Sequence, residues 1–124
     1  IKVISGIDDR QLVDRYNEAG MVVVPSVCEG FGLPAGEAMA CGLPVISTNG
    51  GALPEVVGDE GIIVPTRDAD AIAKSIMHLF ENPEVCAGLA SKARNRILEQ
   101  FSWQVAARAM VEKYSQVIDE VRAA

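Results

Sequence analysis

Glu29 and Glu37 stand eight positions apart, around Gly30, Gly32 and Gly36 and just after the apolar run at residues 21–24. Gly30 and Gly32 let the backbone take positive φ and come close to a ligand. Successive N–H groups in such a turn form a concavity that holds an anion, and a following helix start adds free N–H groups and a positive dipole end. A carboxylate in the first turn of that helix, where Glu37 is placed, accepts two hydrogen bonds at once. That suits a pair of vicinal hydroxyls such as a ribose diol. Glu29, on the strand-exit side, is placed for the hydroxyls of a second sugar. A carboxylate at each end of a phosphate-friendly turn describes a nucleotide-sugar site.

The same residues allow plainer readings. A glutamate in a helix first turn is favoured by the helix dipole alone, by about 0.3–1 kcal/mol. Glycines in a lone glycine-rich loop are usually turn residues. A carboxylate pair also raises glycoside hydrolysis, which needs both groups to converge on one bond, and nothing in the sequence indicates such convergence. A second strand exit, Ser47-Thr48-Asn49-Gly50-Gly51, repeats the theme of paired glycines before a helix start. Two such exits in succession favour a polyanionic ligand, while Glu55 beyond them reads as a surface or capping carboxylate. His78 is the sole histidine and lies off the apolar stripe of its helix, so it is expected exposed and no Ser-His-Asp set can be built. No cluster has metal-ligand spacing, and neither a metal nor a cofactor is expected. Cys28, Cys41 and Cys86 include no C-x-x-C pair and read as reduced, partly buried thiols.

The elements that would position these loops alternate along the chain. Residues 1–4, 21–24, 44–47 and 61–64 read as strands, the middle two buried on both faces as in a parallel sheet. Asp8 and Gln11 form a capping-box variant ahead of a helix striped by Leu12, Val13 and Tyr16, which Gly20 stops. Short helices are expected at 37–41 and 53–57. After Asp68 the chain is helical to about residue 122. A first segment is striped by Ile72, Ile76, Leu79 and Phe80, and a second by Val85, Leu89, Ala93 and Ile97. A third, capped by Ser102, has Trp103, Ala106, Met110, Tyr114, Val117 and Val121 on one side. That last stripe reads as packing, with docking onto another domain as the alternative. Strands alternating with helices imply right-handed βαβ units, and ligands then sit at the carboxyl ends of the strands. This rule selects the loops at 5–8, 25–36 and 47–54.

Composition narrows the function. The chain has 124 residues and a formal net charge of −6, so one domain is expected and specific nucleic-acid binding is disfavoured. No Lys or Arg occurs between Arg15 and Arg67. A phosphate bound in that interval must be held by backbone N–H groups or by cations from elsewhere. There is no run of 18 apolar residues. The chain opens on Ile1 in an apparent strand, without a leader-like pattern, so residues 1–124 are expected to be a single truncated domain of a longer polypeptide.

Val24-Pro25-Ser26, Glu29-Gly30-Phe31-Gly32-Leu33-Pro34, Glu37-Ala38-Met39-Ala40-Cys41-Gly42 and Pro44-Val45-Ile46 closely resemble the retaining glycosyltransferases of family 4, with the GT-B fold. Glu29 and Glu37 form their E-x7-E motif. Gly50-Gly51, Pro54-Glu55-Val56-Val57, the strand at 61–65 and Phe101-Ser102-Trp103 continue the likeness over nearly the whole chain. The resemblance implies a partial Rossmann-like parallel sheet with flanking helices, part of the C-terminal, donor-binding domain. It implies that Glu37 holds the ribose hydroxyls and that Glu29, the catalytic candidate, contacts and positions the transferred sugar. Gly30 lies in the same turn, whose Phe31, Gly32 and Leu33 would offer backbone N–H groups to sugar and phosphate. Gly50 and Gly51 would line the cleft, and Ile7, after Gly6, would meet the base.

The resemblance further implies a nucleotide-sugar donor as substrate, retention of configuration and, as a rule, no metal. It implies a cytoplasmic enzyme, with membrane docking through an absent acceptor domain left open. The family's diphosphate-clamping cations also lie outside this stretch, so the isolated chain is expected to be inactive. A related nucleotide-sugar epimerase and a non-catalytic interaction module remain as alternatives. Position 36 departs from the family in being glycine, where a larger apolar residue is commoner. In the Rossmann order 3-2-1-4-5-6, residues 1–4 would lie two strands away from 21–24. The isolated chain is therefore expected to re-pair its strands, to exchange them with a second copy in a homo-oligomer, or to be one piece of a larger fold.

Overall fold

A computed structural model describes residues 1–123. Three parallel strands, β1 (Val22–Val24), β2 (Val45–Thr48) and β3 (Ile62–Val64), form one sheet in that order. Val23 pairs with Ile46, and Ile46 with Ile62. The central strand is buried along its whole length, whereas both outer strands are partly exposed. This is the expected pattern for a short parallel sheet covered by helices.

Six α-helices surround it: α1 (Asp9–Glu18), α2 (Leu33–Ala40), α3 (Leu53–Val57), α4 (Ala69–Glu81), α5 (Pro83–Gln100) and α6 (Trp103–Ala123). A single 3-10 turn, Gly58–Glu60, separates α3 from β3. α2 and α3 are successive crossovers moving the same way across the sheet. The right-handed rule puts both on one face, where they pack together. The core lies under them. Val24, Ala35, Ala38, Met39, Leu43, Val45, Leu53, Val57 and Ala93 are buried in one cluster, with Tyr16 and Ile97 packed against it. The small residues Ala35, Ala38 and Ala93 are fully buried, which lets the backbones of α2 and α5 come close. Ser47 Oγ, in the middle of β2, is buried with no hydrogen-bond partner among the described residues.

Several sequence expectations hold. Asp8 accepts from the Gln11 N–H at 2.9 Å while the Gln11 side chain accepts from the Asp8 N–H at 3.0 Å, completing the capping box. Asp68 caps α4 through the Ala71 N–H, and Asn82-Pro83 separates α4 from α5. His78 is exposed. All three cysteines are free, though Cys28 is exposed rather than partly buried.

Other expectations need correction, among them burial of the strand at 21–24 on both faces: β1 is an edge strand, and only Val24 of it is buried. Residues 1–4 form no strand and lie exposed. A strand requires a hydrogen-bonded neighbour, and among the described residues the sheet consists of β1, β2 and β3, so residues 1–4 do not re-pair with it. The helix expected at 37–41 begins instead at Leu33, so Glu37 lies in its second turn and not its first. Gly32 provides the left-handed cap at φ 91° and Pro34 presets φ near the start, and together these begin the helix early. Phe80 is exposed while Leu79 is buried, which narrows the α4 stripe. Finally, α6 buries none of its residues: Trp103, Met110, Tyr114, Val117 and Val121 all face outward. Periodicity marks an apolar face but does not say whether this chain supplies something to cover it.

Candidate donor site at the carboxyl ends of the strands

The three strand exits are laced together. Fully buried Thr48, the last residue of β2, donates its hydroxyl hydrogen bond to the Ser26 carbonyl on the β1 exit. Ser26 in turn donates from its own hydroxyl to Glu29 Oε1 at 2.7 Å. The Glu29 carbonyl accepts from the Ala52 N–H at 3.0 Å. On the other side, Asn49 Oδ1 accepts from the Thr66 N–H at 3.0 Å, tying the β2 exit to the β3 exit. Half-buried Glu29 is thus held through both its backbone and its side chain.

Gly50 and Gly51 make this lacing sterically possible. A Cβ on Gly50 would lie 2.6 Å from the Val27 carbonyl oxygen and 2.7 Å from that of Ser26. Gly51 has φ 62°, and a Cβ there would collide with the Glu29 carbonyl. Both glycines are required by the approach of two loops of the same chain, a demand that holds whether or not a ligand is bound.

α2 starts beside this lacing. Gly32, as N-cap, brings no side chain to the helix start, where Pro34 has no N–H and the Ala35 N–H donates to the Gly32 carbonyl at 3.1 Å. The start of α2 is a positive dipole end without a side-chain acceptor. Gly30, in the approach to it, has open space on its Cβ side. Phe31 turns its ring onto Phe101 edge-on, with centroids 6.2 Å apart. Leu33, beside it, is exposed. Phe31, Leu33, Gly36, Glu37, Phe101 and Trp103 border a cavity of about 290 Å³. Exposed Glu37 also borders a second cavity of about 310 Å³, shared with Asp9, Leu12 and Tyr16 of α1. The Tyr16 hydroxyl donates to Glu37 Oε2 at 3.1 Å. Burial, reinforced by that carboxylate, pushes the Tyr16 phenol up to about 12.

Glu29 and Glu37 are therefore brought to neighbouring elements but held by different partners. Ile7, the remaining sequence candidate, sits half-buried just ahead of the Asp8 cap. With Leu12 it occupies the two positions of a hydrophobic staple. The sequence alone assigns no polar role to Tyr16, Ser26 or Thr48. Tyr16 was absorbed into the apolar stripe of α1, and nothing local marks which hydroxyl will face a carboxylate.

Arg67 follows Thr66 on the β3 exit, whereas Arg94 and Arg96 are engaged by the helices. Arg96 of α5 donates to the carbonyls of Val56 at 2.9 Å and Glu55 at 2.7 Å, reaches Glu60 at 3.3 Å, and stacks over Phe101. Arg94 donates to the Ala40 carbonyl. Both satisfy the C-terminal ends of α3 and α2. Both guanidinium groups are thereby occupied by helix carbonyls, Arg96 lying beside Phe101, which packs on Phe31 of the glycine loop.

The sequence profile of the glycosyl transferases group 1 family matches residues 1–96. The chain belongs to this family. Among the relatives of this group 1 chain is the MMP alpha-(1->4)-mannosyltransferase of Mycolicibacterium hassiacum, 38 % identical over 122 residues that cover 96 % of the chain and 30 % of the relative. The chain thus spans less than a third of that protein. Among solved structures, sucrose-phosphate synthase from Thermosynechococcus elongatus superposes with a TM-score of 0.84 at 38 % identity, covering 94 % of this chain and 30 % of that one. Anabaena Alr3699/HepE in complex with UDP gives 0.77 at 25 % identity, covering 82 % and 29 %. The partial parallel sheet with flanking helices, expected from the sequence, is the architecture that these proteins share with it.

Proposed function

We propose that this chain is the donor-binding part of a retaining glycosyltransferase, which moves a sugar from a nucleotide-sugar to an acceptor. The observation that carries the reading is the joining of the β1 and β2 exits, which presents a fixed Glu29 and an uncapped α2 N-terminus at the carboxyl edge of one parallel sheet. In this reading the diphosphate lies against the N–H groups around Phe31, Gly32 and Leu33, where the helix dipole favours negative charge. Glu37 grips the ribose diol, Glu29 accepts from hydroxyls of the transferred sugar, and Ile7 meets the base. The UDP carried by the Anabaena neighbour supports a nucleotide ligand. Further diphosphate cations and the acceptor site come from a partner domain, since no Lys or Arg lies between Arg15 and Arg67 and Arg94 and Arg96 are engaged with helix carbonyls. The enzyme works in the cytoplasm and needs no metal for donor binding.

The test is a thermal-shift series with UDP, GDP, ADP and their sugars. One nucleotide is expected to raise the unfolding temperature, and Glu37→Ala is expected to remove most of that rise while leaving the unliganded midpoint unchanged. Absence of stabilisation by every nucleotide in the intact protein overturns the reading.

A further inference from the structure

We propose that Tyr16 is a positioning residue for Glu37, fixing one carboxylate oxygen so that the other faces the vicinal diol of a nucleotide ribose. The proposal rests on the reading of Glu37 as the diol grip. Glu37 is exposed on the second turn of α2, where a free glutamate samples many rotamers and must lose that freedom when it binds. Tyr16 comes from a different helix, and its ring is packed against the core cluster. Its hydroxyl therefore reaches Glu37 from a fixed base, 3.1 Å from Oε2.

The hydroxyl also lies 3.4 Å from the Pro34 carbonyl. With one proton to give, it favours the nearer, charged acceptor. Its elevated pKa of about 12 keeps the phenol protonated, and so a donor, throughout the physiological range. An ionised carboxylate has about four lone-pair sites, so accepting from Tyr16 leaves room for two sugar hydroxyls. A Phe would fill the same apolar place. The hydroxyl adds little to stability at an exposed carboxylate, and its alignment is better explained by what it does to Glu37.

The experiment is calorimetric titration of the intact protein, its Tyr16→Phe and Glu37→Gln variants, and the double variant. The ligands are the best-binding nucleoside diphosphate and its 2′,3′-dideoxy counterpart. Wild type is expected to prefer the ribose form, and Glu37→Gln to lose that preference. Tyr16→Phe should cut the preference about threefold to tenfold. Its dideoxy affinity and unfolding temperature should be unchanged, and the double variant should be no worse than Glu37→Gln alone. Full ribose preference in Tyr16→Phe, or equal weakening of both ligands, overturns the positioning role while leaving the Glu37 reading standing. No ribose preference in wild type, or its survival in Glu37→Gln, overturns the Glu37 reading and this proposal with it.

Discussion

Glu29 and Glu37 belong to one sequence motif, yet a hydroxyl from a different place secures each. Ser26, three residues upstream, holds Glu29, and Tyr16, on another helix, holds Glu37. The glycines between and beyond them are not equivalent. Gly51 has a positive φ and no room for a Cβ against the Glu29 backbone, whereas Gly30 faces open space. Gly51→Ala is expected to destabilise the protein by about 2–5 kcal/mol, combining left-handed strain with overpacking. Gly30→Ala should stay within about 0.5 kcal/mol of wild type. Urea unfolding of both variants measures the contrast, and equal effects would remove the loop-approach argument.

Among the elements, α2 departs most from ideal construction. It begins at a left-handed glycine, has proline in its first turn, and carries Gly36 within its first five residues. Gly36 is not needed for space: a Cβ there would meet Val56 at 3.8 Å and Ile97 at 4.0 Å, ordinary packing distances. Gly36→Ala is therefore expected to raise stability by about 0.5–1 kcal/mol, by removing backbone freedom from the unfolded chain and filling the cavity edge. A rise in the urea midpoint without a change in slope would show it. A fall would mean that the cavity beside Glu37 cannot take a methyl group.

For the whole molecule, the packed unit ends near Phe101. α6 buries none of its residues, and its apolar stripe faces outward along the helix. Phe101, just before it, anchors to Phe31 and lies under Arg96. Removing residues 103–124 is expected to shift the unfolding midpoint by less than about 4 °C, as little packing is lost. Scanning calorimetry checks this, and a larger drop would mean that α6 stabilises the sheet through contacts beyond its exposed stripe.

Most of the fold was legible in the residues. The valine and isoleucine runs, the Asp8–Gln11 and Asp68 caps and the Asn82-Pro83 break are local signals, and local hydrogen bonding and sterics enforce them. The glycine-rich strand exits around Glu29 and Glu37 were legible for the same reason. What tertiary structure decided was relational. Residues 1–4 have strand composition but no neighbour to pair with. The α6 stripe has helical periodicity, but none of the described residues covers it. Gly50 and Gly51 look like ligand-facing turn residues, yet they are fitted first to the backbone of another loop. Tyr16 reads as one more apolar residue of a helix until α1 lies beside α2. A sequence specifies what each residue can bond or bury, and only the packed chain determines which partner arrives.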